Sequence, residues 1–124
     1  MKLQKLMYYS QAWHLVWKEA PLFENDFQAW ANGPVLPELY ERHRGCFNVD
    51  QTLFPEGKLG NINARSKVAI DRVLDFYGNK TAQWLSHLTH NEAPWLEARG
   101  ALAPGMRCDT VIRQSAMHEY YSSL

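Results

Sequence analysis

Phe27-Gln-Ala-Trp-Ala-Asn-Gly-Pro-Val-Leu-Pro-Glu-Leu-Tyr40 is the stretch around which the rest of the chain is organised. Trp30 is a large apolar anchor, and Asn32-Gly33-Pro34 directly behind it forces a sharp turn. Gly33 is free to take positive φ, while Pro34 fixes its own φ and biases Gly33 away from the helical region. Pro37 is tolerated in a first helical turn, so Leu36-Pro37 leads into Glu38-Leu39-Tyr40 as a helix start. An extended segment, a rigid corner and a helix start thus follow one another within a few residues.

On the N-terminal side, Lys2 to Lys18 contains no Gly or Pro and reads as a helix. At about 100° per residue, Leu3, Leu6, Met7, Trp13 and Trp17 fall on one side and Tyr8, Ala12, Leu15 and Val16 on the other. Gln4, Gln11 and Lys18 form one narrow polar stripe. A helix apolar nearly all round is expected to be buried and central. His14 borders the stripe and reads as a core-edge histidine bonded to a neighbour. Pro21 stops this helix. Leu22-Phe23 and Phe27 to Trp30, separated by the turn-prone Glu24-Asn25-Asp26, are expected to pair as a small hairpin.

Beyond the corner, a short helix is expected from Pro37 to Arg44, ended by Gly45. Residues 46–63 are irregular and read as a loop that adapts to a partner. An amphipathic helix follows from Ala64 to Tyr77, with Ala69, Ile70, Val73, Leu74, Phe76 and Tyr77 on its apolar face and Gly78-Asn79 as its stop. Thr81 reads as the N-cap of a helix from Ala82 to His90 that buries Trp84, Leu85 and Leu88. Pro94-Trp95 opens a short helix to Arg99, Asp109 to Ile112 reads as extended, and a last helix spans Arg113 to Ser123. The expectation is a single, compact, mainly α domain over residues 1–124, a helical bundle with a minor short β-hairpin or extended segment.

Composition narrows the function classes. The chain of 124 residues is 46% hydrophobic and 21% charged, which suits one folded domain with its own core. Aromatics reach 13%, implying either a dense aromatic core or an aromatic-rich binding surface. Thirteen basic residues balance thirteen acidic ones, against general nucleic-acid binding. No apolar run approaches the roughly 18 residues needed to cross a bilayer, and the N-terminus lacks the order of a signal peptide. A cytoplasmic protein is expected. Cys46 and Cys108 lack CxxC spacing and read as buried or idle thiols.

The candidate chemistry is thin. His87 and His90 share one helical face, but zinc needs three or four ligands and no helix Glu completes an HExxH pattern. Two polar residues near a helix C-terminus explain the spacing equally well. Neither cysteine sits in a nucleophile setting, there is no Gly-x-Ser-x-Gly, and the glycines between Gly57 and Asn61 are wrongly spaced for a phosphate loop. Asp71 and Asp75 lie one turn apart on a polar helical face and read as solvated. Trp13, Trp17 and Trp84 read as core. Trp30 and Trp95 flank chain breaks and suit either the core or a partner-facing edge.

Three blocks in order resemble a known family. They are Lys2-Leu-Gln-Lys-Leu-Met-Tyr-Tyr9 continuing to Trp13-His14-Leu15, then Ala29-Trp30-x-x-Gly33-Pro34-Val35-x-Pro37 with Tyr40, then Leu85-x-x-Leu88-Thr89-His90 with Pro94-Trp95. The chain resembles the Panacea domain, the SocA-like antitoxins often named phage-associated protein, over nearly its whole length. The resemblance implies a small helical domain of prophage or mobile-element origin with a minor β element. The implied role is the antitoxin of a type II toxin–antitoxin pair. Its implied partner is a cognate protein toxin encoded nearby, neutralised by direct contact. One branch of the family works as a proteolytic adaptor to an AAA+ protease. No enzymatic activity, catalytic residue or cofactor is implied.

Family members usually carry a helix of roughly fifteen or more residues before the Lys-Leu-Gln-Lys-Leu block. Here the block opens the chain, so the leading helix is dispensable, replaced by another subunit, or lost by truncation. Self-association is then favoured by exposed apolar surface on the first helix. Trp30, Asn32, Tyr40, His90 and Trp95 are expected near the working surface. The rival readings are a small metal-dependent hydrolase using His87 and His90, and a homo-oligomeric phage structural protein.

Overall fold

Helix α1 (Lys2–Lys18) runs through the middle of the molecule, and its apolar positions meet neighbours on every side. The computed structural model describes residues 2–43, 64–102, 105–106 and 108–124, so the Gly45 stop, Cys46 and the expected adaptive loop at 46–63 lie outside the described residues. After α1 come strands β1 (Phe27–Trp30) and β2 (Gly33–Val35), then helices α2 (Pro37–His43), α3 (Ala64–Tyr77), α4 (Ala82–His90) and α5 (Ala93–Arg99). Strand β3 (Val111–Ile112) and helix α6 (Gln114–Ser122) close the chain. The fold is mainly α with a small antiparallel sheet of strand order β2-β1-β3. Among the described residues no helix is long and apolar enough to cross a membrane.

The aromatic residues are largely core. Tyr8, Tyr9, Phe27 and Tyr121 are fully buried, with Tyr9 stacked on Tyr77 at 4.3 Å between ring centroids. Tyr8 meets Phe27 edge-on at 5.3 Å. Such pairs add specific geometry to apolar burial and hold α1, α3, α6 and the sheet in one arrangement.

The polar stripe of α1 also faces inward. The Gln4 carboxamide accepts from Leu36 N–H at 2.9 Å and donates to Leu36 C=O at 3.4 Å, at the point where β2 hands over to α2. Gln11 does the same for the chain after Pro21, accepting from Leu22 N–H at 2.7 Å and donating to Phe23 C=O at 2.7 Å. Lys2 Nζ donates to Gly78 C=O at 2.6 Å, and His14 Nδ1 lies 2.6 Å from Ala20 C=O. Each contact pairs a backbone group outside regular structure.

This explains one correction. The expected hairpin between Leu22-Phe23 and Phe27–Trp30 does not form, because Gln11 already occupies the backbone groups of Leu22 and Phe23. Instead β1 pairs with β2 (Gln28↔Val35, Trp30↔Gly33) and with β3 (Phe27↔Ile112), so Asn32-Gly33 makes the tight turn itself. Gly33 has φ of 122°, a conformation that favours glycine. Pro34, with no N–H to give, sits on the edge strand.

The apolar face of α3 is narrower than expected. Ala69, Val73 and Tyr77 are buried, whereas Leu74 and Phe76 stand exposed, as does Trp84 on α4. The i, i+4 row of Ala69, Val73 and Tyr77 is the part that reaches α1; Leu74 and Phe76 lie off it. Trp13 and Trp17 are half-buried and stack on each other at 5.3 Å. Thr81 caps α4 as expected, its hydroxyl accepting from Trp84 N–H at 3.0 Å.

Replacing Gln4 by Leu keeps the volume but strands the buried N–H of Leu36, whereas Leu36 C=O keeps its bond from Tyr40 N–H. Gln4→Leu is therefore expected to lower unfolding free energy by about 1–3 kcal/mol in urea titration. An unchanged midpoint would show that these bonds do not hold the corner.

Candidate functional site

At the tip of β1 the carbonyls of residues 29–32 have too little sheet to bond to, since β3 spans two residues. Side chains of α4 and α5 supply the partners. Arg99 Nη1 donates to Ala29 C=O at 3.0 Å, Trp95 Nε1 to Trp30 C=O at 2.9 Å, and Ser86 Oγ to Asn32 C=O at 3.1 Å. The Ala31 backbone lies against His90 and favours its protonated ring. Ser86 and His90 stand one turn apart on α4, and Trp95 and Arg99 one turn apart on α5, so each helix turns one row toward the corner.

All five residues expected at the working surface fall in this one region. Trp30 meets Tyr40 edge-on with centroids 5.0 Å apart, and its Nε1 donates to Gln28 Oε1 at 2.9 Å. His90 stacks on Trp95 at 4.3 Å, and the Arg99 guanidinium lies 5.0 Å from the Trp95 ring centre. Their exposure differs. Asn32 is exposed, Trp30, Tyr40 and His90 are half-buried, and Trp95 is buried. Trp95 therefore holds the corner from within, while Asn32, Trp30 and Tyr40 present it outward.

Burial pushes the His90 pKa below its usual value, and the charges of Lys5, His87 and Arg99 push it further down. Its Nε2 is buried with no hydrogen-bond partner. Lys5 reaches the same place from α1. A Cβ built on Gly33 would lie 2.8 Å from Lys5 Cε, 3.1 Å from its Nζ and 3.2 Å from Thr89 Oγ1.

Two residues further on, Glu92 opens α5 as its N-cap and is buried. Its Oε1 accepts from Tyr9 OH at 2.6 Å and from Tyr121 OH at 2.8 Å. Burial raises the Glu92 pKa, and the two hydroxyl bonds offset part of that rise. The Tyr9 and Tyr121 hydroxyls are themselves raised, chiefly by burial. This network locks the α4–α5 junction onto α1 and α6.

Sequence reasoning passed over Gln4, Lys5, Ser86, Glu92 and Arg99. The available signals were two polar residues on an otherwise apolar helix and the one-turn pairs Ser86/His90 and Trp95/Arg99. It also placed in the core an outward cluster in which Lys80 Nζ lies 5.1 Å from the Trp84 ring centre and 6.0 Å from that of Phe76. His87 is exposed, and among the described residues no group of three or more His, Cys, Asp or Glu is placed to hold a metal ion. Cys108 is a buried free thiol.

The description "Antitoxin SocA-like, Panacea domain" matches residues 3–96. The chain is 30% identical over 133 aligned positions to a protein named Antitoxin SocA from Caulobacter vibrioides (strain NA1000 / CB15N), covering 91% of this chain and 69% of that one. No solved structure matches. The chain belongs to the SocA-like antitoxin family with a Panacea domain.

Because Glu92 is raised in the folded state, folded protein keeps its proton above pH 4.5 while the unfolded chain has released it. Stability therefore falls as pH rises through that window and stays lower above it. In E92Q the amide oxygen still accepts from both tyrosines. Its stability advantage over the native chain is expected to grow from pH 4.5 upward and then level off, read by denaturation at several pH values. A constant difference would mean that Glu92 is not raised.

Proposed function

We propose that this protein is the antitoxin of a type II toxin–antitoxin pair, a binding protein that neutralises a toxin encoded nearby by direct contact. Its membership of the SocA-like family carries this reading. The outward side of the corner supports Trp30, Asn32 and Tyr40 as the contact surface, with His90 and Trp95 setting its shape. An exposed polar residue between two half-buried aromatics suits a partner-binding anchor, since Trp and Tyr dominate such sites. Trp30 is braced by its bond to Gln28 Oε1 and by the edge-on Tyr40 ring, so little ordering cost remains to be met on binding.

Expressing the neighbouring small gene alone and together with this protein tests the reading, with growth arrest relieved only by co-expression as the expected result. A harmless neighbour would remove the proposal's main support. Toxin abundance during rescue separates two routes. A steady level indicates steric neutralisation, and a fall that depends on an AAA+ protease indicates delivery for degradation.

The surface is tested separately. Among the described residues Asn32 bonds to the fold through its backbone carbonyl, which accepts from Ser86 Oγ, so Asn32→Arg is expected to leave the thermal midpoint unchanged and weaken toxin binding about tenfold or more. Trp84→Ala, in the exposed cluster on α4, is expected to bind as the native chain does. The reverse pattern would move the contact surface to α3 and α4.

A further inference from the structure

Val68 is 53% exposed, Phe76 61% and Trp84 42%, and two cations lie among these apolar side chains. Arg72 stands one turn from both Val68 and Phe76 on α3, with its guanidinium 4.6 Å from the Trp17 ring centre. Lys80 follows at the turn into α4, its ammonium 6.0 Å from the Phe76 ring centre and 5.1 Å from that of Trp84. Rings and cations therefore alternate along one connected surface, from Trp17 at the end of α1 to Trp84 in α4. We propose that this surface docks an acidic, apolar segment of a partner protein. Arg72 and Lys80 meet its carboxylates, and Val68, Phe76 and Trp84 meet its apolar side chains.

Charge complementarity selects this occupant. The face of a ring attracts a cation but leaves its charge unneutralised. Among the described residues neither Arg72 nor Lys80 forms a salt bridge, although Asp71 and Asp75 share α3 with Arg72. Resting on aromatic rings, both charged ends are already placed, so little side-chain ordering remains to be met on binding. The apolar part of the surface has the same outward direction, and contiguous exposed apolar groups rimmed by charge mark interaction sites.

Nucleic acid also offers anions beside apolar rings, but it binds by stacking bases on free ring faces and by a basic surplus that neutralises phosphates. Here cations lie over the rings of Trp17, Phe76 and Trp84, and thirteen basic residues balance thirteen acidic ones in the chain. A protein segment needs neither open ring faces nor a basic surplus.

The surface is separate from the corner that carries Trp30, Asn32 and Tyr40. Trp84 lies two residues from Ser86, which bonds Asn32 C=O, so the two point to different sides of α4. The inference therefore does not rest on the antitoxin reading.

Panning a random peptide library against the full chain tests it, with NMR of the Trp17 and Trp84 indole N–H groups locating each selected peptide. Peptides that shift these signals are expected to combine Asp or Glu with large apolar residues. Replacing their acids by the amides is expected to weaken binding about tenfold or more, as is the double variant Arg72→Glu with Lys80→Glu. The amide peptides leave the protein untouched, so the dependence on acid is read whether or not that variant folds. Selected peptides that shift the two indoles without acids, or amide forms that bind as tightly, would overturn the proposal, as would a selection in which no peptide shifts them. Oligothymidylate moving the same signals would replace it with a nucleic-acid surface. Signals that move with protein concentration alone would replace it with a contact between two copies of this chain.

Discussion

The turn at residues 29–36 has backbone groups that its own sheet cannot pair, and much of the architecture follows from that. A three-stranded sheet whose strands are four, three and two residues long is too small to be stable alone. Its remaining carbonyls and the buried N–H of Leu36 are bonded by side chains from α1, α4 and α5. Leaving one such group unpaired costs about 1–3 kcal/mol. Helix placement and turn geometry are therefore one problem. The helices have to be where they are for the corner to keep its shape.

This coupling explains why the three motif blocks are legible together and weak apart. Gln4 and Lys5 from the first block meet Leu36 and Gly33 of the second. His90 and Trp95 from the third meet Ala31 and Trp30 of the second. Each block is an ordinary piece of helix or turn by itself, and its meaning lies in where the other two put their hydrogen bonds. Trp30, Asn32, Tyr40, His90 and Trp95 could be grouped from sequence because aromatics beside chain breaks signal a corner. Ser86 and Arg99 could not, because a serine or arginine on a short helix has the same pattern whether it faces solvent or a carbonyl.

The helices were legible for a more general reason. Absence of Gly and Pro across Lys2–Lys18, the Thr81 cap and the stop at Gly78 set bounds that follow from local chemistry. Direction was harder. Periodicity marks a face as polar without saying whether water or backbone lies opposite, so the stripe of Gln4 and Gln11 gave no sign that both side chains bond backbone inside the molecule. The same ambiguity misplaced Leu74, Phe76 and Trp84, apolar residues on faces that nothing among the described residues covers. The false hairpin at Leu22-Phe23 has the same origin, since one carboxamide replaces a whole strand as partner.

Helix α1 carries two buried polar stations one turn apart, and they are treated differently. At Tyr9 the buried Glu92 accepts two hydroxyl bonds, which offset part of what burial costs its charge. At Lys5 burial works against the charge and lowers the pKa to about 8. A methionine at Lys5 would fill the same space with no desolvation cost, as replacement of buried charges by apolar groups of equal volume often stabilises a fold. Packing therefore gives no reason for a lysine here. The position of Lys5 under the Gly33 turn ties that cost to the same corner whose outer face carries Trp30, Asn32 and Tyr40.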